Sequence, residues 1–161
     1  LEEYPTAQIG EVGDVESLVS LVIKDLWDIV ICDISMPGRS GLEALQQIKE
    51  IKPSLPVLIM SMHSEDQYAV RVFRAGASGY LSKDAVHQEL IGAIKTIQNG
   101  RKFITPGIAE KLVGAQDKKK KLEPHEQLSN REFDVMKMLA GGKSITEIAE
   151  QLSLSATTVS T

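Results

Sequence analysis

The sequence has a single cysteine, Cys32, so no intrachain disulfide can form. It has no long hydrophobic run: the longest apolar stretches, such as Ile29–Cys32 and Val57–Met60, are strand-sized, far short of the roughly 18 residues of a membrane span. Leu1–Pro5 lacks the basic start and apolar core of a secretory signal. Positive charge is not in excess either. Eighteen basic against 22 acidic side chains leave −4, so any contact with nucleic acid has to be local. No repeat of fixed period is present. These absences point to a cytoplasmic protein with no membrane partner. What is there, 42% apolar and 25% charged residues, is the composition of a folded globular chain, long enough for one domain or two small ones.

From Ala7 to about Asn99, short β-branched runs alternate with stretches of helical period, the pattern of an α/β domain with a parallel sheet. The runs predict strands over Ala7–Val12, Asp28–Asp33, Pro56–Ser61 and Ser78–Leu81. Between them Asp14 caps a helix with Val15, Leu18, Val19 and Val22 on one face. Leu42, Leu45, Ile48 and Ile51 mark a second helix. Val70 and Phe73 mark a third ending at Gly76, and Leu90, Ile91, Ile94 and Ile97 a fourth ending at Gly100. Thr105–Val113 reads as a further short helix. Gly114 to Gln127 then loses apolar periodicity and carries Lys118–Lys121, a solvated hinge whose lysines are also able to touch phosphates.

Beyond it the pattern is wholly helical, with two S-x-x-E capping boxes, Ser129 with Glu132 and Ser144 with Glu147. Residues 1–114 carry eleven basic and fifteen acidic side chains, and residues 115–161 carry seven of each. The change of pattern and of charge divides the chain into 1–104, a linker 105–127, and 128–161.

Asp33, Ser61 and Lys83 end, or follow, three successive predicted strands. In a parallel sheet that puts a carboxylate, a hydroxyl and an ammonium at one edge, where such sheets bind ligands. Alone, the aspartate reads as a turn or capping residue and the lysine as surface. Together, with a turn at Pro37, Gly38 and Gly41, they suit phosphoryl transfer to the carboxylate. Asp33 attacks in line, Lys83 neutralises a phosphoryl oxygen and Ser61 donates to another. Cys32 reads as a small core residue, His63 as a solvated loop histidine, and Met60 and Met62 as packing groups.

Through Asp33-Ile34-Ser35-Met36-Pro37-Gly38, Leu58-Ile59-Met60-Ser61 and Gly76-Ala77-Ser78-Gly79-Tyr80-Leu81-Ser82-Lys83 the chain resembles the receiver domains of two-component response regulators, from Ile9 to about Gly100. The resemblance implies a flavodoxin-like, doubly wound parallel sheet of order 2-1-3-4-5. It makes Asp33 the phosphoacceptor, Ser61 the switch hydroxyl, Tyr80 the switch aromatic and Lys83 the phosphate-contacting lysine, with Mg²⁺ held by Asp33 and the backbone carbonyl of Ser35. As an aromatic in a strand, Tyr80 reads equally as core. Asp84 departs from the family pattern, which often has proline after the lysine. The resemblance also implies a first strand with an acidic pair upstream of Leu1. Its place is filled by a longer native chain, by a strand swapped from another copy, or not at all in a degenerate domain.

Ile145, Ile148, Ala149 and Leu152, then the turn Ser153–Ser155 and a second helix from Ala156, have helix-turn-helix spacing. Thr157 and Thr158 stand near phosphate at the start of that helix. Leu128-Ser129-Asn130-Arg131-Glu132-Phe133-Asp134-Val135-Met136 and Gly141 to Val159 resemble the LuxR-type DNA-binding domain, and receiver plus this domain is the NarL/FixJ architecture. The resemblance implies that Ser160 and Thr161 face base edges, that Val159 packs on the core, and that the recognition helix and a dimerising helix continue past Thr161. The expected function is a transcriptional response regulator and not an enzyme, phosphorylated by a histidine kinase, binding duplex DNA and dimerising on activation. The rivals are an aspartyl-phosphate phosphatase, for which Ser35 offers no second carboxylate, and a phosphorylation-independent dimerisation scaffold.

Overall fold

Asp14 starts the first helix as its cap, its carboxylate accepting from the amide of Ser17 at 2.8 Å. From there α1 (Val15–Lys24) buries Val15, Leu18 and Val22, the spacing read from the sequence. The computed structural model describes residues 4–37, 39–62, 65–117, 128–152, 154–155 and 158–159. Lys118–Lys121 lies outside them.

Three parallel strands, β1 (Val30–Asp33), β2 (Val57–Ser61) and β3 (Gly79–Ser82), pair in the order β1-β2-β3, with Val30 opposite Val57 and Leu58 opposite Gly79. Parallel neighbours need crossovers, supplied by α2 (Gly41–Ile51) and α3 (Glu65–Arg74). A short 3₁₀ turn, Lys83–Ala85, leads into α4 (Val86–Gln98). Gly76 and Gly100, just past α3 and α4, have φ of 95° and 73°, the left-handed conformation that lets the chain leave a helix.

The side chains of β2 alternate between two clusters. Val57 and Ile59 join α1, α2 and α3 in the larger one, and Leu58 joins Leu81, Ala93 and Ile97 in the smaller, under α4. β2 is therefore buried on both faces, as its unbroken apolar run requires. Among the described residues the second face of β1 has no comparable cover, and Ile31 is 38% exposed.

Ala7–Val12 forms no strand. Among the described residues no strand lies alongside to complete its ladder, so the alternating pattern has nothing to pair with, and Ile9 is 63% exposed. The segment lies instead against α1 and the loop that follows it, where Gly10 approaches the Trp27 ring so closely that a Cβ would come within 2.6 Å. The strand read as Ser78–Leu81 is shifted by one residue. Ser78 leads in, its carbonyl accepting from the amide of Phe103 at 2.9 Å.

The helix read from Thr105 runs as α5 (Pro106–Asp117), packed on α3 with Ile108 fully buried. In α6 (Asn130–Ala140) and α7 (Ile145–Gln151) both capping boxes are complete, hydroxyl and carboxylate each bound to a backbone amide. Ile148, Ala149 and Leu152 are buried, as their spacing requires. Phe133 of α6 belongs to the same cluster as the core between the sheet and α1–α3, so the helical part is seated on α3. Among the described residues no helix is long and apolar enough to cross a membrane.

Candidate functional site

Asp33 is the last residue of β1, Ser61 the last of β2, and Lys83 follows Ser82 at the end of β3. Because the strands are parallel, these three ends share one edge. There Lys83 donates from Nζ to Oδ2 of Asp33, in a short ion pair. The Ser35 amide donates to Oδ1 at 3.0 Å, so both carboxylate oxygens are held while the group stays 28% exposed to solvent. At that exposure the ion pair adds little to stability. What it does is place an ammonium against the carboxylate. Ser61 is fully buried and lies opposite Ser82 in the β2–β3 register.

The loop after Asp33 returns on itself. Gly41 donates its amide to the carbonyl of Ile34 at 2.9 Å, and its Cα packs on the backbone of Asp33. A Cβ there would stand 2.1 Å from the Asp33 carbonyl oxygen, so only glycine lets the loop close. The sequence marks Gly41 as a turn residue; the close approach is what the structure adds. Lys83 is followed by no proline; Ser82 caps the 3₁₀ turn that starts at Lys83, its Oγ accepting from the Asp84 amide at 3.4 Å.

Tyr80 is fully buried among core residues of the larger cluster. Cys32 is buried as read, and burial, aided by the neighbouring Asp33 charge, pushes its thiol up to about 12. At pH 8 it stays a thiol, and thiolate is the reactive form. Iodoacetamide at pH 8 is expected to leave the native protein unmodified and to add one group after denaturation; rapid labelling of the native protein would contradict this burial. Met62 is 65% exposed, so packing does not account for it. Its loop carries it out beyond the strand end. Gly38 and His63 lie outside the described residues.

As a metal site the edge is sparse. Among the described residues no group of three or more His, Cys, Asp or Glu side chains converges. The donors are hard oxygens, the Asp33 carboxylate and the Ser35 carbonyl, the kind Mg²⁺ accepts when substrate phosphate and water complete its shell.

In the helical part, Ser155 precedes Thr158 and Val159, which are helical. Its Oγ accepts from the Thr158 amide at 3.2 Å and lies 2.7 Å from the Thr158 hydroxyl. Thr158 is exposed and Val159 half-buried. Thr157, Ser160 and Thr161 lie outside the described residues. Arg131 and Asp134, which the sequence gives no reason to single out, both reach the α/β part. Arg131 approaches Glu43 at 3.8 Å, and Asp134 is buried against Tyr68.

Residues 1–95 match the family model described as response regulator receiver domain, and residues 126–161 that of bacterial regulatory proteins, luxR family. Over 152 residues the chain is 37% identical to the response regulator UvrY of Escherichia coli strain K12, covering 94% of this chain and 70% of that protein. It is 37% identical over 145 residues to the oxygen regulatory protein NreC of Staphylococcus carnosus, covering 86% of this chain and 67% of that protein. Among solved structures, RcsB of Salmonella typhimurium superposes with a TM-score of 0.64 at 27% identity, over 99% of this chain and 78% of that one.

Proposed function

The chain belongs to the response regulators that join a receiver domain to a LuxR-type DNA-binding domain, and from that premise we propose that Asp33 is its phosphoacceptor and that the phosphoryl group governs DNA binding by residues 128–161. The observation that carries the proposal is the Lys83 ammonium set directly against the Asp33 carboxylate at the open edge of the sheet.

A carboxylate oxygen of Asp33 attacks phosphorus in line, the bond from phosphorus to the donor breaks, and the electron pair leaves with the donor. The donor is the phosphohistidine of a sensor kinase or a small acyl phosphate. Lys83 moves its charge from the carboxylate to a phosphoryl oxygen, and the Ser61 hydroxyl donates to another. The Asp33 carboxylate and the Ser35 carbonyl would hold Mg²⁺, which would supply further neutralisation of the phosphoryl charge. Ser61 and Tyr80 respond to the new group, and α3, which follows Ser61, carries the change outward.

The receiver occupies residues 1–104, the connector 105–127 and the DNA-binding part 128–161. Thr157, Thr158, Ser160 and Thr161 meet duplex DNA, with Thr158 at the capped start of the recognition helix, and dimerisation on activation brings two such helices to one site. The test is a DNA-binding titration of the full-length protein with and without acetyl phosphate and Mg²⁺. Phosphorylation is expected to strengthen binding, and binding to weaken steeply with salt. Equal affinity in both states would remove phosphorylation from the mechanism and leave a scaffold.

A further inference from the structure

Between the loop after Asp33 and the two helices α6 and α7 lies a cavity of about 180 Å³. Its walls are largely apolar, with Ile34 and Met36 from the loop, Met138 from α6 and Leu152 from the end of α7. Two cations, Lys137 and Lys143, line it as well. Neither has a part in the chemistry proposed for Asp33.

Lys137 is the informative one. Its Nζ is buried and has no hydrogen-bond partner among the described residues. An ammonium carries three donors, and leaving them unmade away from water is costly. Two neighbours soften that cost without bonding to it. The Tyr68 ring centroid lies 4.8 Å from Nζ. The Asp134 carboxylate acts on it through space while accepting from the Tyr68 hydroxyl at 2.8 Å. Burial still holds Lys137 below the usual lysine range. Lys143, by contrast, donates to Oε1 of Gln151, another residue of the wall.

From this juxtaposition we infer that the cavity binds a small organic monoanion, a carboxylate on a short apolar body, with Lys137 taking the carboxylate and Met36, Met138 and Leu152 packing on the body. The carboxylate supplies the acceptor that the buried ammonium lacks. The body replaces water against apolar walls. Size sets the class further: an apolar cavity of about 150 Å³ accepts benzene, so a body of about six carbons is near the upper limit here. Inorganic phosphate suits the site less. It has no apolar part, and it carries more negative charge toward the buried Asp134 than a single carboxylate does. The site is a small-molecule input separate from Asp33, and nothing in it depends on Asp33 accepting a phosphoryl group.

The methionines give a direct reading, because two of the five, Met36 and Met138, line the cavity and Met60 and Met62 do not. In the full-length protein with isotope-labelled methionine methyls, benzoate is expected to shift the Met36 and Met138 signals with a Kd of about 1 mM and to leave Met60 and Met62 in place. Benzyl alcohol, the ring without the charge, and inorganic phosphate, the charge without the ring, are each expected to bind at least about tenfold more weakly. Lys137→Met keeps the reach of the side chain and removes the ammonium, so benzoate should weaken about tenfold, and Lys143→Met should weaken it by less. No saturable shift at Met36 and Met138 up to about ten times the expected Kd overturns the site, as do equal shifts at all the methionines. Benzyl alcohol or phosphate binding as tightly as benzoate overturns the ligand class, and unchanged affinity in Lys137→Met overturns the role of the lysine. The shifts and the comparison of ligands are read on the parent protein, so they decide the matter even where Lys137→Met fails to fold.

Discussion

Asp33→Ala is expected to take up no phosphoryl group from acetyl phosphate and Mg²⁺, where the parent gains one, as read by intact mass. The loss is complete because the attacking oxygens disappear, while the other groups at the edge only assist. Stability should change little. The ion pair to Lys83 is about a third exposed on both sides, and water takes the place of the lost partner. A folded Asp33→Ala protein that labels like the parent would place the acceptor elsewhere. Asp33→Asn sharpens the result, since it preserves shape and a partner for the Ser35 amide yet lacks the nucleophile.

The second large effect concerns a residue with no chemistry of its own. Gly41→Ala sets a methyl group 2.1 Å from the Asp33 carbonyl oxygen and 2.9 Å from the Ile34 Cα. Both are backbone atoms, so no side chain can swing aside. Either α2 backs away from β1 or the loop from Ile34 to Ser40 opens. The expected cost is about 3 kcal/mol, at the upper end of overpacking effects. For a chain of this length that lowers the melting temperature by roughly 6–12 °C. Because the same loop carries the Ser35 amide that orients Asp33, labelling should fall as well, even well below the melting transition. Normal stability together with normal labelling would show that the loop has another way to close.

Much of this arrangement is legible in the sequence because local signals agree with it. Asp14, Ser129 and Ser144 cap the helices they announce, and the apolar runs before Asp33 and Ser61 are the strands that carry them. Lys83 meets Asp33 because the order of a parallel sheet alone brings their strand ends to one edge. The reading fails where the deciding interaction is not local. Ala7–Val12 has strand composition, but a strand exists only through its neighbour, and a neighbour cannot be read from the segment itself. Asp134 looks like a helix-surface carboxylate four residues past the Asn130 start of α6. Its burial comes from Tyr68, sixty-six positions away, and nothing in its surroundings along the chain marks it. Gly41 reads as a turn because glycine is common in turns, whereas its necessity lies in the backbone it touches.

The all-parallel order of the sheet also bears on how the protein is made. Hairpins let antiparallel sheets form from neighbouring stretches of chain, but here each strand must wait for a crossover helix before it can pair. Asp33 leaves the ribosome fifty residues ahead of the lysine that faces it. Until β3 has emerged and docked on β2, the nascent chain carries an aspartate without its ammonium. The edge proposed to take up the phosphoryl group is thus complete only when synthesis has passed Lys83.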